Sequence, residues 1–143
     1  MIDVRIAATA EERDDAFAVR IAVFVDEQGI PRSEELDELD ASAVHCVAYD
    51  GRQPVGAGRL VIADGYAKVG RMAVLRERRR NGVGALVLAA LEREAASRGV
   101  REVRLSAQLT ARAFYERNGY TASGDVYDEV GIPHIAMVKR LAK

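Results

Sequence analysis

The sequence has one cysteine and no tryptophan, and only 6% of its residues are aromatic. The single cysteine, Cys46, cannot form a disulfide within the chain, and its place in an apolar alternation predicts a buried small hydrophobic residue, not a nucleophile. The scarcity of aromatic rings argues against a platform on which nucleic acid bases could stack. These absences exclude a disulfide framework and disfavour a nucleic-acid binding module.

The sequence also lacks a strong charge of one sign and a long apolar run. Its formal net charge is -1, which produces no global field for nucleic acid or anionic lipid. No run of about 18 apolar residues could span a bilayer, and the first residues show no signal-peptide pattern. We therefore expect a cytoplasmic protein with neither nucleic acid nor membrane as a partner, in which basic residues act locally.

The length of 143 residues and the 49% hydrophobic content suit one domain over residues 1–143, because a chain of about 150 residues buries a sizeable core. No internal repeat, linker or low-complexity tract divides it. The hydrophobic periodicity predicts strands and helices in alternation. Strands are predicted over residues 4–7, 44–49, 55–62, 66–75, 103–107, 125–130 and 132–141, and helices from Thr9 to before Gly29, from Gly84 to Ser97 and over 110–118.

The order of these elements predicts the sheet. Asp50-Gly51 and Asp64-Gly65 are hairpin signals, so the three strands that they join should form an antiparallel meander. The helix after Gly84 carries Val83, Leu86, Val87, Ala90 and Leu91 on one face. It joins two strands that should be parallel, in a right-handed βαβ unit. The prediction is a mixed sheet flanked by helices.

A basic, glycine-containing turn lies between a strand and the central helix, and it contains Arg79, Arg80, Asn81, Gly82 and Gly84. The first amides of a helix lack intrahelical acceptors and carry partial positive charge. Glycines let a ligand approach the backbone, and arginines favour phosphate. No lysine follows Gly84 and no third glycine is present, so neither a Walker loop nor a dinucleotide fingerprint fits. The turn predicts a site for a phosphorylated cofactor.

A second motif follows the next strand, with Gln108, Ala111, Tyr115, Gly119 and Tyr120 in fixed order. Together with Arg79-x-x-Gly82-x-Gly84, it resembles the signature of the GNAT superfamily of acetyl-CoA-dependent N-acetyltransferases. The resemblance implies an α+β fold, with a mostly antiparallel mixed sheet, a parallel βαβ cofactor unit and helices on both faces. It implies acetyl-CoA as cosubstrate, no metal, and acetyl transfer to a primary amine by direct attack.

The resemblance also implies roles for individual residues. The backbone of Met72 and Val74, on a splayed strand, would hold the pantetheine arm, and the Met72 amide would polarise the thioester carbonyl. Tyr115 would donate a proton to the departing thiolate. The expected cofactor-binding residues are Met72, Val74, Arg79, Arg80, Asn81, Gly82, Val83, Gly84 and Gln108. We expect Arg76 and Arg78, which depart from the family pattern, to lie in solvent.

The attacking amine must lose a proton, and several side chains could accept it. Glu129 and His134 are the candidates near the C-terminus, and Glu27, Glu35, Asp37 and His45 are those in the first half. Carboxylates in the acidic segment 32–41 could bind the cationic amine of a small molecule or a peptide. Arg59 or Arg71 could pair with a carboxylate of the substrate.

Two other functions remain open at this stage. The chain could bind coenzyme A without catalysis, as a sensor or a partner-binding protein. It could also use Arg76, Arg78, Arg79 and Arg80 as a phosphate clamp for nucleic acid. Because small GNAT domains often pair, we expect a homodimer.

Overall fold

Seven strands form one mixed sheet in the computed structural model, which describes residues 1–141. The strands are β1 Ile2–Ile6, β2 Val44–Asp50, β3 Gln53–Ile62, β4 Ala67–Val74, β5 Glu102–Gln108, β6 Thr121–Glu129 and β7 Ile132–Arg140. Their order in the sheet is β1-β2-β3-β4-β5-β7-β6. Only β4 and β5 are parallel, and all other neighbours are antiparallel. The predicted meander and the parallel βαβ unit are both confirmed.

Four α-helices accompany the sheet: α1 Ala10–Arg20, α2 Arg32–Glu35, α3 Val83–Ser97 and α4 Arg112–Arg117. The start of α1 is a capping box at the predicted residue, Thr9, in which the Glu12 amide donates to the Thr9 hydroxyl oxygen at 3.1 Å. Beyond Arg20 the helix widens into a π-helical segment, Ile21–Glu27, which the sequence pattern did not predict. No helix within residues 1–141 is long and apolar enough to cross a membrane.

The sheet carries a core on each face. Cys46 and Ala48 of β2 contact the core under α3, while Val47 and Tyr49 contact the core under α1, as the alternation predicted. Burial raises the pKa of the Cys46 thiol to about 12, which fits a small core residue.

Close packing of α3 on the sheet depends on glycines in β3. A Cβ added at Gly58 would lie 2.8 Å from both Leu91 Cδ1 and Met72 Sδ. The prediction that Leu86 belongs to the buried face of α3 is wrong, because this residue is 45% exposed. The buried stripe is centred between Val87 and Leu91, and Leu86 lies at its edge.

The sheet opens between its two parallel strands. Residues Ala67 to Val69 of β4 pair with Val103 to Leu105 of β5, and no further pairs join these strands. Beyond them β4 continues against β3 and β5 continues against β7. Arg71 has a φ of 54° where the register of β3 and β4 shifts. The expected splay at Met72 and Val74 is therefore present, and we call this opening the fork.

Candidate active site

A cleft of about 1050 Å³ occupies the fork, and β4, β5, β7, α4 and the beginning of α3 contribute to its walls. It collects almost all of the residues that the two motifs selected. Of the predicted cofactor-binding and catalytic residues, Met72, Val74, Arg79, Arg80, Gly82, Val83, Gly84, Gln108, Tyr115, Glu129 and His134 line it, and Asn81 does not.

Unpaired backbone amides at the start of α3 form one end of the cleft. Gly82 is the N-cap residue, with a φ of 81°, and it offers no side chain that could cap the helix. The bond from the Leu86 amide to the Gly82 carbonyl, at 3.1 Å, is the first of the helix. The amides of Val83, Gly84 and Ala85 therefore have no intrahelical acceptor, which is the arrangement that binds anions.

The two glycines of the loop have different roles. A Cβ at Gly82 would meet open space, but the positive φ makes any other residue strained. A Cβ at Gly84 would lie 3.2 Å from the Phe114 ring, so this glycine allows α3 to contact α4 closely. The sequence predicts room for a ligand at this glycine and does not indicate its role in helix packing.

The arginines of the loop are mostly paired with carboxylates. The Arg79 guanidinium donates to both Glu27 oxygens at 2.7 and 2.6 Å and to the Val74 carbonyl at 2.9 Å. Arg78 was expected in solvent, which is wrong, because it donates to Asp50 at 2.7 Å. Arg76 is 76% exposed, as expected. Arg80 is exposed and has no ion pair within residues 1–141, so its charge is available to an anion.

Tyr115 lies on α4, where it belongs to the core and also lines the cleft. The residue is 7% exposed, and its ring packs edge-on against Phe114 and Tyr120. The hydroxyl has no hydrogen-bond partner within residues 1–141, and the residue lines the cleft. Burial raises the pKa of this phenol, so the side chain stays neutral and can donate a proton.

His134 and Glu129 meet at the opposite wall. The Nε2 atom of His134 lies 3.6 Å from Glu129 Oε2, and its Nδ1 atom lies 2.7 Å from the Ile132 carbonyl oxygen. The ring of Tyr127 stacks on the imidazole at a centroid distance of 6.2 Å, and the Tyr127 hydroxyl contacts that of Ser106. His134 also opposes Gln108 in the pairing of β5 with β7.

Two of the other candidate bases are removed from the cleft. His45 Nε2 lies 2.9 Å from the Asp40 carbonyl oxygen, its ring contacts Phe17, and burial lowers its pKa. Glu27 is bound to Arg79. Neither residue lines the cleft, so neither is in a position to accept a proton from an amine bound there.

Three arginines and three carboxylates of the acidic segment 32–41 form a partly buried network, which we call the arginine cluster. Its members are Arg20, Arg59, Arg71, Glu35, Asp37 and Asp40. The Arg20 guanidinium is completely buried and donates to Glu35 at 2.9 Å and to Asp40 at 2.8 Å.

The cluster changes the interpretation of Arg59 and Arg71. Both were candidates to hold a substrate carboxylate, but Arg59 donates to Asp37 at 2.7 Å and Arg71 donates to it at 3.1 Å. Their charges are thus already neutralised. The network instead holds the acidic segment against the sheet, where Glu34, Glu35 and Asp37 form part of the cleft wall.

Burial and ion pairing compete inside the cluster. Burial raises the pKa of Glu35 above its usual value, despite the neighbouring arginines. For Asp40, burial alone would raise the pKa, but hydrogen bonds from Arg20 and from the Asp37 amide outweigh it and lower the pKa to about 2. Asp40 is therefore an ionised partner of Arg20 at neutral pH. Glu35 is the carboxylate for which the cost of burial outweighs the ion pairing.

The sequence reasoning missed Ser106, Tyr127 and Gln28. Gln28 exchanges amide hydrogen bonds with Gln108, at 2.9 Å in one direction. Ser106 could have been found as a polar residue in the strand that ends at Gln108. No comparable signal in the sequence indicates Tyr127 or Gln28. Within residues 1–141, no group of three or more histidine, cysteine, aspartate or glutamate side chains is arranged to hold a metal ion.

Comparisons with known proteins agree with this geometry. Residues 9–141 match the family model of the acetyltransferase (GNAT) domain. The chain is 46% identical over 135 residues to the uncharacterized N-acetyltransferase YjcF of Bacillus subtilis, covering 94% of this chain and 96% of the relative.

Solved structures give the same result. A candidate N-acetyltransferase of Lactobacillus plantarum superposes with a TM-score of 0.91, at 34% identity and 99% coverage of both chains. An acyl-CoA N-acyltransferase of Pseudomonas aeruginosa superposes with a TM-score of 0.83, at 29% identity, covering 97% of this chain and 98% of that one. The chain thus belongs to the GNAT acetyltransferase family and is an acyltransferase.

Proposed function

We propose that this protein transfers an acetyl group from acetyl-CoA to a primary amine, by direct attack of the amine on the thioester. One observation carries the proposal: the fork, the uncapped beginning of α3 and Tyr115, whose hydroxyl has no partner within residues 1–141, all line one cleft. The first two are suited to a long phosphorylated cofactor, and the third is a proton donor for its leaving group.

The residues present fit coenzyme A. Where β4 and β5 separate, they no longer pair with each other, so amides and carbonyls on their facing edges become available to an extended pantetheine arm. The amides of Val83, Gly84 and Ala85, with the exposed Arg80, would hold the pyrophosphate. The cosubstrate supplies an activated acetyl group as a thioester. Arg79 would contribute through the shape of the loop, since its guanidinium is bound to Glu27.

Two groups would act on the thioester. The Met72 amide, at the bulge of β4, would donate to the carbonyl oxygen as charge develops there. A preorganised donor of this kind contributes about 2.7–4 kcal/mol to lowering the barrier. Tyr115 would donate its phenolic proton to sulfur, and Gln108 would bind the cosubstrate with its side-chain amide.

The acceptor would be a small-molecule or peptide amine that enters from the side of the acidic segment. Glu34 and Glu129 line the cleft with carboxylates that are bound to no arginine within residues 1–141 and so favour an ammonium group, whereas Asp37 lines it already paired with Arg59 and Arg71. The nucleic-acid alternative loses support, because Arg78 and Arg79 of the supposed clamp are bound to Asp50 and Glu27.

The decisive experiment is calorimetric titration with acetyl-CoA, followed by an amine screen that detects free thiol. Gly82→Asp should abolish micromolar binding, because it adds strain at a φ of 81° and a negative charge beside the pyrophosphate amides. The matched control is Gly65→Asp, which has a φ of 84°, open surroundings and a position remote from the cleft. Gly65→Asp and the wild type should bind acetyl-CoA with the same affinity.

The outcomes separate the alternatives. No binding of acetyl-CoA by the wild type would overturn the proposed cofactor site. Binding without turnover of any amine would favour the non-catalytic coenzyme A sensor. Binding and turnover, both lost in Gly82→Asp alone, would support the enzyme.

A further inference from the structure

The hydrogen bond at Nδ1 determines which nitrogen of His134 can accept a proton. Its partner, the Ile132 carbonyl oxygen at 2.7 Å, can only accept a hydrogen bond. The neutral ring therefore carries its hydrogen on Nδ1, and the lone pair is on Nε2. His134 is 5% exposed and lines the cleft, so Nε2 is a basic atom held within the site.

The carboxylate beside Nε2 suits the protonated ring. Glu129 Oε2 lies 3.6 Å from this nitrogen, and the Glu129 side chain is 45% exposed. A carboxylate at that distance can form an ion pair with the ring once Nε2 has accepted a proton, and the exposed side of Glu129 connects this pair to solvent. Glu129 alone, without histidine, is the weaker candidate, because imidazole is the side chain that ordinarily changes charge between pH 5 and 8.

An irregularity in β6 places an aromatic ring on His134. Ser123 of β6 opposes Ala136 of β7, and a regular antiparallel ladder would then place Asp125 opposite His134. The observed partner is Tyr127, because the register shifts between Ser123 and Tyr127, where Gly124 has a φ of 82°. The bulge thus replaces a carboxylate by a stacked ring at this position, 26° from parallel with the imidazole.

Tyr127 is itself held from a third strand. Its hydroxyl contacts the Ser106 hydroxyl on β5, so the side chain reaches from β6 across β7 to β5. The imidazole therefore lies beneath a ring that is fixed at both ends. Since the Ile132 carbonyl also holds Nδ1 within the plane of the ring, His134 has little freedom to rotate.

We propose that His134 is the general base for the acceptor amine, that Glu129 stabilises its protonated form, and that Tyr127, fixed by Ser106, is a positioning residue for it. This proposal rests on the acetyltransferase function proposed above. The ammonium substrate loses one proton to Nε2 and thence to water. The amine nitrogen then bonds to the carbonyl carbon as the carbon–sulfur bond breaks, sulfur takes the Tyr115 proton, and the second N–H proton restores the phenol through solvent.

The test is the pH profile of kcat/KM for wild type and variants with the best amine of the screen. His134→Asn keeps a donor near the position of Nδ1 for the Ile132 carbonyl but has no base. We expect it to lower kcat/KM about 10²- to 10⁴-fold near neutral pH, with unchanged affinity for acetyl-CoA. The loss should shrink at high pH, where the amine is already unprotonated.

Tyr127 is tested in the same assay. Tyr127→Ala should lower kcat and displace the acidic limb of the pH profile, while Tyr127→Phe, which keeps the stacked ring, should lie between it and wild type. The matched control is Val126→Ala, on the same strand and 53% exposed. Unchanged affinity for acetyl-CoA shows that each variant is folded.

The results distinguish the two proposals. Wild-type turnover with an unaltered profile in His134→Asn would refute the base, and an unaltered profile in Tyr127→Ala would refute its positioning role, with the acetyltransferase function intact. A wild-type protein that acetylates no amine would overturn the proposed function and the base together.

Discussion

At the scale of single residues, Tyr115 shows how a core position and a reactive group coincide. Its ring packs against Phe114 and Tyr120, and the residue lines the cleft. Burial raises the phenol pKa, so the hydroxyl keeps its proton at neutral pH and is a donor for the departing thiolate.

Tyr115→Phe should therefore lower kcat about 10²- to 10⁴-fold and leave the acetyl-CoA dissociation constant unchanged. Steady-state kinetics and calorimetry test this. The control is Tyr120→Phe, because the Tyr120 hydroxyl donates to Glu92 at 2.8 Å and does not line the cleft. That change should cost about 1–3 kcal/mol of unfolding free energy with kcat near wild type; equal loss of kcat in both variants would refute the acid role.

Residue-level prediction from sequence succeeded where local spacing carries the information. The two motifs selected Gly82, Gln108 and Tyr115, and all three line one cleft. It failed where partners are distant along the chain, as for Gln28 and Gln108, which are 80 positions apart. Arg78 shows the same limit, because nothing near it in the sequence indicates Asp50 as its partner.

At the scale of elements, α3 packs closely on β3 because glycines in β3 carry no side chain. A Cβ at Gly58 would come within 2.8 Å of both Leu91 Cδ1 and Met72 Sδ. Since the interior is close-packed, these atoms have little room to move. The position of α3 on the sheet, and with it the loop at its N-terminus, depends on this contact.

Gly58→Ala should therefore lower the unfolding free energy by about 1–3 kcal/mol, measured by urea denaturation. Gly70→Ala on the adjacent strand is the comparison, because a Cβ there meets no atom within 4 Å and the residue has no positive φ. If the two variants were equally stable, the packing constraint at Gly58 would be disproved.

Elements with strong local signals were predicted well, and those shaped by tertiary contacts were not. The capping box at Thr9 and the turn at Asp50-Gly51 determine their elements locally. The π-helical segment Ile21–Glu27 has no such signal. It ends where Glu27 binds Arg79, a long-range contact that no periodicity reveals.

At the scale of the whole molecule, the arginine cluster makes stability depend on pH. The folded-state pKa of Asp40 is lowered from 3.8 to about 2. A lowered carboxyl pKa stabilises the fold above the unfolded value, and this stabilisation is lost as the pH falls through the folded value. The contribution of Asp40 should thus be complete above about pH 5 and decline between about pH 4 and pH 2.

Asp40→Asn should lower the unfolding free energy by about 3–5 kcal/mol at pH 7, because it removes one of the two carboxylates that pair with the buried Arg20 guanidinium and leaves only Glu35. Urea denaturation across the acidic range should show the difference from wild type narrowing below about pH 4. Glu116→Gln is the control, since the Arg112–Glu116 pair is exposed and worth less than about 1 kcal/mol. A difference independent of pH would contradict the ionised state assigned to Asp40.

The homodimer expected from the family resemblance stays a prediction. Sedimentation equilibrium of the purified protein would decide it.

The fork also determines how the molecule can deform. The strands on each side of it are paired along most of their length, whereas the two halves of the sheet share only the pairs from Ala67–Val103 to Val69–Leu105. The softest motion of the sheet is therefore a change in the angle between its halves, about an axis through those pairs. Such a hinge widens or narrows the cleft without breaking a strand, so the part of the molecule that holds the reactants is also the part most free to adjust to their size.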